Sequence, residues 1–156
     1  MPFSAGPIDL PDDAATAALA ACIGARLRAG DTLLLEGGIG AGKTTFARAL
    51  IRAATGNPAE EVPSPTFTIV QTYPTSRGEI WHADLYRLTG PGEAAELGLA
   101  EAMDDSICLV EWPDRLGSLA PAGALTLSFE ALAHGPHRLR LAGAADWRAR
   151  LEPCLA

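Results

Sequence analysis

At 156 residues, 48% apolar and 20% charged, the chain is long enough to bury one core and ordinary in composition for a soluble globular domain. Twelve Lys and Arg against nineteen Asp and Glu leave a formal charge of −7, which argues against a direct hold on nucleic acid, since phosphate neutralisation by a basic face drives that affinity. No apolar run is long enough to cross a bilayer and no basic-plus-apolar leader opens the chain, so a single cytoplasmic domain over residues 1–156 is expected.

Asp12, after Pro11, can cap a helix in which Leu19, Cys22, Ile23 and Leu27 fall at helical spacing, with Gly30 as its end. The start of that helix can approach the base of a nucleotide bound further along, although a plain packing role is the simpler reading. Thr32 to Leu35 is a short apolar run that reads as a buried parallel strand. Phe46 to Ile51 reads as a helix stopped near Gly56-Asn57-Pro58.

Between that strand and that helix lies Gly37-Gly38-Ile39-Gly40-Ala41-Gly42-Lys43-Thr44, followed by Thr45. It fits G-x-x-x-x-G-K-[ST], the phosphate-binding loop known as Walker A. Glycines at this spacing let the backbone turn its N–H groups inward as a nest for phosphate oxygens. Lys43 then brings an ammonium to the β- and γ-phosphates, the Thr44 hydroxyl serves Mg²⁺, and the following helix aims its positive end at the same anion. Strand, loop and helix occur in the order this chemistry requires.

Asn57 to Pro65 is a loop rich in Pro and acid, and Thr66 to Tyr73 has the β-branched and aromatic content of a strand. Pro74 to Gly78 reads as a turn and Glu79 to Leu85 as the returning strand of an antiparallel hairpin. Gly92 to Met103 reads as one or two short helices broken at Gly98. Ser106 to Val110 is a second apolar run, and Pro113 to Gly117 a turn or helical start. Ala124 to Glu130 and His137 to Leu141 read as late strands, and Ala144 to Leu151 as a terminal helix. Cys22, Cys108 and Cys154 show no metal spacing and are expected to be buried free thiols.

The second apolar run ends on Glu111-Trp112, the shape of a Walker B element. An acid after a buried strand is commonplace alone; beside a phosphate loop it can hold Mg²⁺ directly or through water. The hydroxyls of Ser64-Pro65-Thr66 can sense a γ-phosphate as switch loops do. Asp84, in His82-Ala83-Asp84-Leu85-Tyr86-Arg87, can position an attacking water or support the metal shell. His82 alone reads as a side chain that packs or hydrogen-bonds structurally, and Trp112 either as a stacking residue near the nucleotide or a partner or as a core anchor.

Together these segments resemble the TsaE (YjeE) family, the bacterial ATPases of tRNA threonylcarbamoyladenosine biosynthesis. The resemblance rests on Gly40 to Phe46, Ser64 to Thr68, His82 to Leu88 and Ile107 to Pro113, in family order and spacing. It implies an α/β, P-loop NTPase-like three-layer fold with a central mixed, mostly parallel sheet flanked by helices. It also implies ATP and Mg²⁺ as cofactors, TsaD and TsaB as partners, and tRNA reached only indirectly. Carried onto this chain, Gly37, Gly38, Ile39, Gly40, Ala41, Gly42, Lys43, Thr44 and Thr45 bind phosphates, with Thr44 and Glu111 at the metal. Asp84, Glu111, Lys43 and Thr66 serve catalysis, and Thr16 and Arg138 contact the nucleotide. One departure stands out: family members commonly have Gly-Asp-Leu-Gly where this chain has Gly37-Gly38-Ile39-Gly40. A small metabolite kinase and an ATP-dependent docking module without essential hydrolysis are the alternatives that the loop alone admits.

Overall fold

The computed structural model describes residues 2–63, 65, 69–133 and 135–155. In chain order the strands are β1 (Phe3–Leu10), β2 (Thr32–Glu36), β3 (Val70–Thr75), β4 (Gly78–Asp84), β5 (Ile107–Glu111), β6 (Leu125–Ala131) and β7 (His137–Gly143). The helices are α1 (Asp13–Gly24), α2 (Lys43–Thr55), α3 (Pro91–Glu96), α4 (Leu99–Asp105) and α5 (Trp147–Leu155), with a 3₁₀ helix over Pro113–Leu119.

All seven strands form one sheet in the order β1-β7-β6-β2-β5-β4-β3. The central pairs β6/β2, β2/β5 and β5/β4 are parallel, while β1/β7, β7/β6 and β4/β3 are antiparallel. Strands β1, β6, β2, β5 and β4 therefore share one direction, and the sheet is mixed but mostly parallel. Central β2 is apolar on both faces because both faces are covered. Leu33 and Leu35 enter a core shared with α1, α2 and α5, and Leu34 packs against the core shared with α3, α4 and the 3₁₀ helix. These are the three layers expected.

Local chemistry explains most of the boundaries. The Asp12 carboxylate accepts from the Ala15 N–H at 2.8 Å and caps α1. Gly56, at φ 70°, ends α2 in the left-handed conformation, and Gly98, at φ 82°, separates α3 from α4. On α2, Phe46, Ala47, Leu50 and Ile51 form the buried face. The Phe46 ring meets Phe129 of β6 at 5.5 Å, edge to face, and so pins the first turn of α2 to the sheet.

Four sequence expectations change. Strand β1 was not foreseen: its Gly6-Pro7 breaks the alternation that marks a strand. An edge position with a register shift between Ala5 and Ile8 tolerates both residues. Helix α1 ends at Gly24 rather than Gly30. Strand β3 continues through Pro74, again at a sheet edge where a missing N–H costs no ladder bond; Thr66 to Thr68, expected in this strand, lie outside the described residues. Finally, Cys22 of α1 and Cys154 of α5 are not free thiols but a disulfide joining Cα atoms 5.7 Å apart across 132 residues of sequence. Packing of α5 beside α1 creates that pair, and no local spacing announces it. Cys108 is a buried free thiol, as expected.

Candidate nucleotide site

The carboxyl ends of β2, β4 and β5 converge on one edge of the sheet, where open α/β folds place their ligands. Strand β2 delivers the glycine loop. Gly37, Gly40 and Gly42 have φ of 141°, 78° and 113°, which L side chains avoid. A Cβ on Gly37 would lie 2.5 Å from the Phe129 carbonyl oxygen, and one on Gly42 would lie 3.2 Å from His137 Nδ1. No atom of the described residues lies within 4 Å of a Cβ on Gly38 or Gly40. The loop thus rests its back on β6 and β7 and keeps its crest clear.

Lys43 opens α2 and is buried, although its ammonium is a charge. Nζ donates to the carbonyl oxygens of Gly37 and, at 3.3 Å, Gly38, and sits 3.6 Å from the centre of the Trp112 ring. Burial pushes the Lys43 pKa below its ordinary value, against the opposing pull of Glu111, Asp84 and Asp114. Trp112 itself occupies the left-handed region, at φ 58° and ψ 54°, an uncommon conformation for a bulky residue.

Thr44 donates its hydroxyl to Glu111 Oε1 at 2.8 Å, joining the start of α2 to the end of β5. The second carboxylate oxygen, Oε2, lies 2.7 Å from His82 Nε2. His82 and Glu111 are buried at 0% and 2% exposure, and Asp84 at 6%. Asp84 is opposite Glu111 in the β4/β5 register, and its Oδ1 accepts from the Tyr86 N–H at 2.9 Å.

A cavity of about 310 Å³ collects these groups. Of the residues singled out in the sequence, Ile39, Gly40, Gly42, Lys43, Thr44, Thr45, Asp84 and Glu111 line it, while Gly37, Gly38 and Ala41 form the rest of its loop. Thr16 and Arg138 do not line it. The Thr16 hydroxyl donates to the Asp12 carbonyl at 3.3 Å, and Arg138 pairs with Asp9 at 3.0 Å. Thr66 and Ser64 lie outside the described residues. The lining adds Tyr86, Trp112 and His137, and for Trp112 a place beside the nucleotide is one of the positions its sequence context admits. His82, expected to pack or to hydrogen-bond structurally, makes its hydrogen bond to Glu111, and its two-residue spacing from Asp84 puts both on one face of β4.

A phosphate loop between a central parallel strand and its helix, with an acid closing the neighbouring strand, makes this chain a P-loop protein of the α/β class. Its particular family follows from comparison. The profile described as "Threonylcarbamoyl adenosine biosynthesis protein TsaE" matches residues 10–139. The tRNA threonylcarbamoyladenosine biosynthesis protein TsaE of Rickettsia felis is 38% identical over 123 residues, covering 79% of this chain and 71% of that protein. The protein of the same description from Treponema pallidum is 33% identical over 128 residues, covering 81% and 93%. A crystal structure of Bacillus subtilis YdiB has the same fold, with a TM-score of 0.78 at 24% identity over 99% of this chain and 95% of that one. The chain belongs to the TsaE family and to tRNA threonylcarbamoyladenosine biosynthesis.

Proposed function

We propose that this protein binds and hydrolyses ATP with Mg²⁺, in the cytoplasm, as the nucleotide-driven component that works with TsaD and TsaB so that tRNA modification can turn over repeatedly. The observation that carries the reading is the Thr44–Glu111 contact of 2.8 Å beside Lys43 and Asp84, which brings a hydroxyl, an ammonium and two carboxylates to one phosphate loop. Both contacting atoms are oxygens, one of a hydroxyl and one of a carboxylate. That donor set fits Mg²⁺, which takes one or two protein oxygens and completes its shell with phosphate and water. When bound, the ion neutralises charge on the β- and γ-phosphates.

The chain's own residues do the remainder. The open crest at Gly38 and Gly40 leaves room for phosphate against the backbone. Lys43 exchanges the Gly37 and Gly38 carbonyls for phosphate oxygens, a short movement of a side chain already in the cavity. Thr44 and Glu111 would hold the metal. Asp84 orients a water for attack on the γ-phosphorus; the bond to the bridging oxygen breaks and ADP keeps the electron pair. Burial of Glu111 and Asp84 strengthens these interactions through the low local dielectric. Thr66 belongs to the same proposal as part of a γ-phosphate switch, and Thr16 and Arg138 as contacts towards the base. The charge of −7 agrees with tRNA being held by partners rather than by this chain.

Calorimetry with ATP and GTP, on wild type and Lys43→Ala, tests the site; binding is expected for wild type with ATP and lost in the variant. A reconstituted modification assay with each component omitted in turn tests the role. Slow ATP turnover alone, faster turnover with TsaD and TsaB, and failure of repeated modification with Lys43→Ala are expected. Equal ATP binding by Lys43→Ala, or tight tRNA binding by the isolated chain in a filter assay, would overturn the proposal.

A further inference from the structure

We infer that His82 is a positioning residue for this site: its Nε2–H holds one oxygen of Glu111 so that the other is presented to Thr44 and the metal. The inference deepens the function proposed above and rests on it. A carboxylate oxygen only accepts, so the nitrogen that meets Glu111 Oε2 at 2.7 Å carries the hydrogen. The distance is at the short end for N–H···O and has the length of a charge-assisted bond. Glu111 is then gripped from both sides, by His82 from β4 and by Thr44 from α2 at 2.8 Å. Neither oxygen can rotate away without breaking one of these bonds.

The other ring nitrogen makes the case against mere packing. His82 is wholly buried, and among the described residues its Nδ1 has no hydrogen-bond partner. An apolar side chain in mid-strand would fill the space without leaving a buried polar atom unsatisfied. What an imidazole supplies here and an aliphatic group does not is the single bond to Glu111. The unpartnered Nδ1 also sets the tautomer: with the hydrogen on Nε2, Nδ1 is a lone pair, whereas the alternative would bury an unpaired N–H and leave Glu111 facing another acceptor. Partners of this kind, one bond removed from a metal, orient the ligand, and their loss commonly weakens metal binding about 10–100-fold.

The experiment titrates Mg²⁺ into the protein with a fluorescent ATP analogue and repeats the nucleotide titration in EDTA, for wild type, His82→Leu and His82→Gln. His82→Leu should leave nucleotide affinity in EDTA within about twofold and weaken Mg²⁺ in the ternary complex by about 10–100-fold. His82→Gln, whose amide N–H can reach the same oxygen, should recover most of the loss. Equal Mg²⁺ affinity in wild type and His82→Leu, or a Gln variant no better than Leu, overturns the role of His82 while leaving the ATP site intact. A wild type whose nucleotide binding ignores Mg²⁺ overturns the proposed function and this metal role together. Should His82→Leu fail to fold, ¹⁵N NMR of the wild-type imidazole decides: an Nε2–H tautomer with a hydrogen-bonded proton is expected, and an Nδ1–H tautomer refutes the inference.

Discussion

Alanine at Gly37, Gly38 and Gly40, one position at a time, separates three costs that a glycine loop can carry. Gly38 lies outside the left-handed region and no described residue crowds it, so Gly38→Ala should change stability by less than about 0.5 kcal/mol, or raise it slightly by restricting the unfolded chain. Gly40 also faces open space but has φ 78°, so Gly40→Ala should cost about 1–2 kcal/mol of backbone strain alone. At Gly37 the added Cβ would lie 2.5 Å from the Phe129 carbonyl oxygen, and φ is 141°. That oxygen belongs to the β6 backbone and cannot swing aside as a side chain does. Strain and overpacking together should therefore cost about 3 kcal/mol. At roughly 3 °C per kcal/mol for a chain of this size, Tm should fall by about 9 °C for Gly37→Ala, by 3–6 °C for Gly40→Ala, and hardly at all for Gly38→Ala. Thermal melts with urea midpoints measure the order directly. A Gly37→Ala melting point within two degrees of Gly38→Ala would refute the claim that the loop is braced against β6.

The same open space bears on Gly38, where the family resemblance implies an Asp: Gly38→Asp should fold with unchanged Tm, and a large loss in a thermal melt would contradict it. Glu111→Gln and Asp84→Asn should lower ATP turnover more than ATP affinity, as interactions realised in the transition state do; unchanged turnover in both would leave them as strand-end acids. Burial pushes the Cys108 thiol from 9.0 up to about 12, so with Cys22 and Cys154 paired no thiol should react rapidly with Ellman's reagent at pH 8 in the native protein. Denaturation should release one thiol, and reduction after denaturation three. The sign of the linked stability follows: it is level below about pH 9 and falls between 9 and 12, where only the unfolded thiol ionises, a decline that urea midpoints against pH would show.

Much of the site could be read along the chain because its parts are local. The phosphate loop is eight consecutive residues whose backbone needs glycines, and its flanking strand and helix declare themselves by apolar spacing. The Asp12 cap, the β3/β4 hairpin and the break at Gly98 follow from short-range rules of the same kind. Glu111 became legible only as the end of a strand beside such a loop.

What the tertiary structure alone decided is which distant groups meet. Spacing places Glu111 at the end of β5, but only the strand order, with β4 and β2 on either side of β5, sets His82 against one of its oxygens and Thr44 against the other. Trp112 reaches Lys43 because the chain turns into the left-handed region directly after β5. The Cys22–Cys154 bond exists because α5 returns beside α1, and β1 is a strand because β7 offers it an edge. Periodicity and capping are encoded within about one helical turn of sequence, whereas these contacts depend on how separate elements pack, and that is determined by the core as a whole.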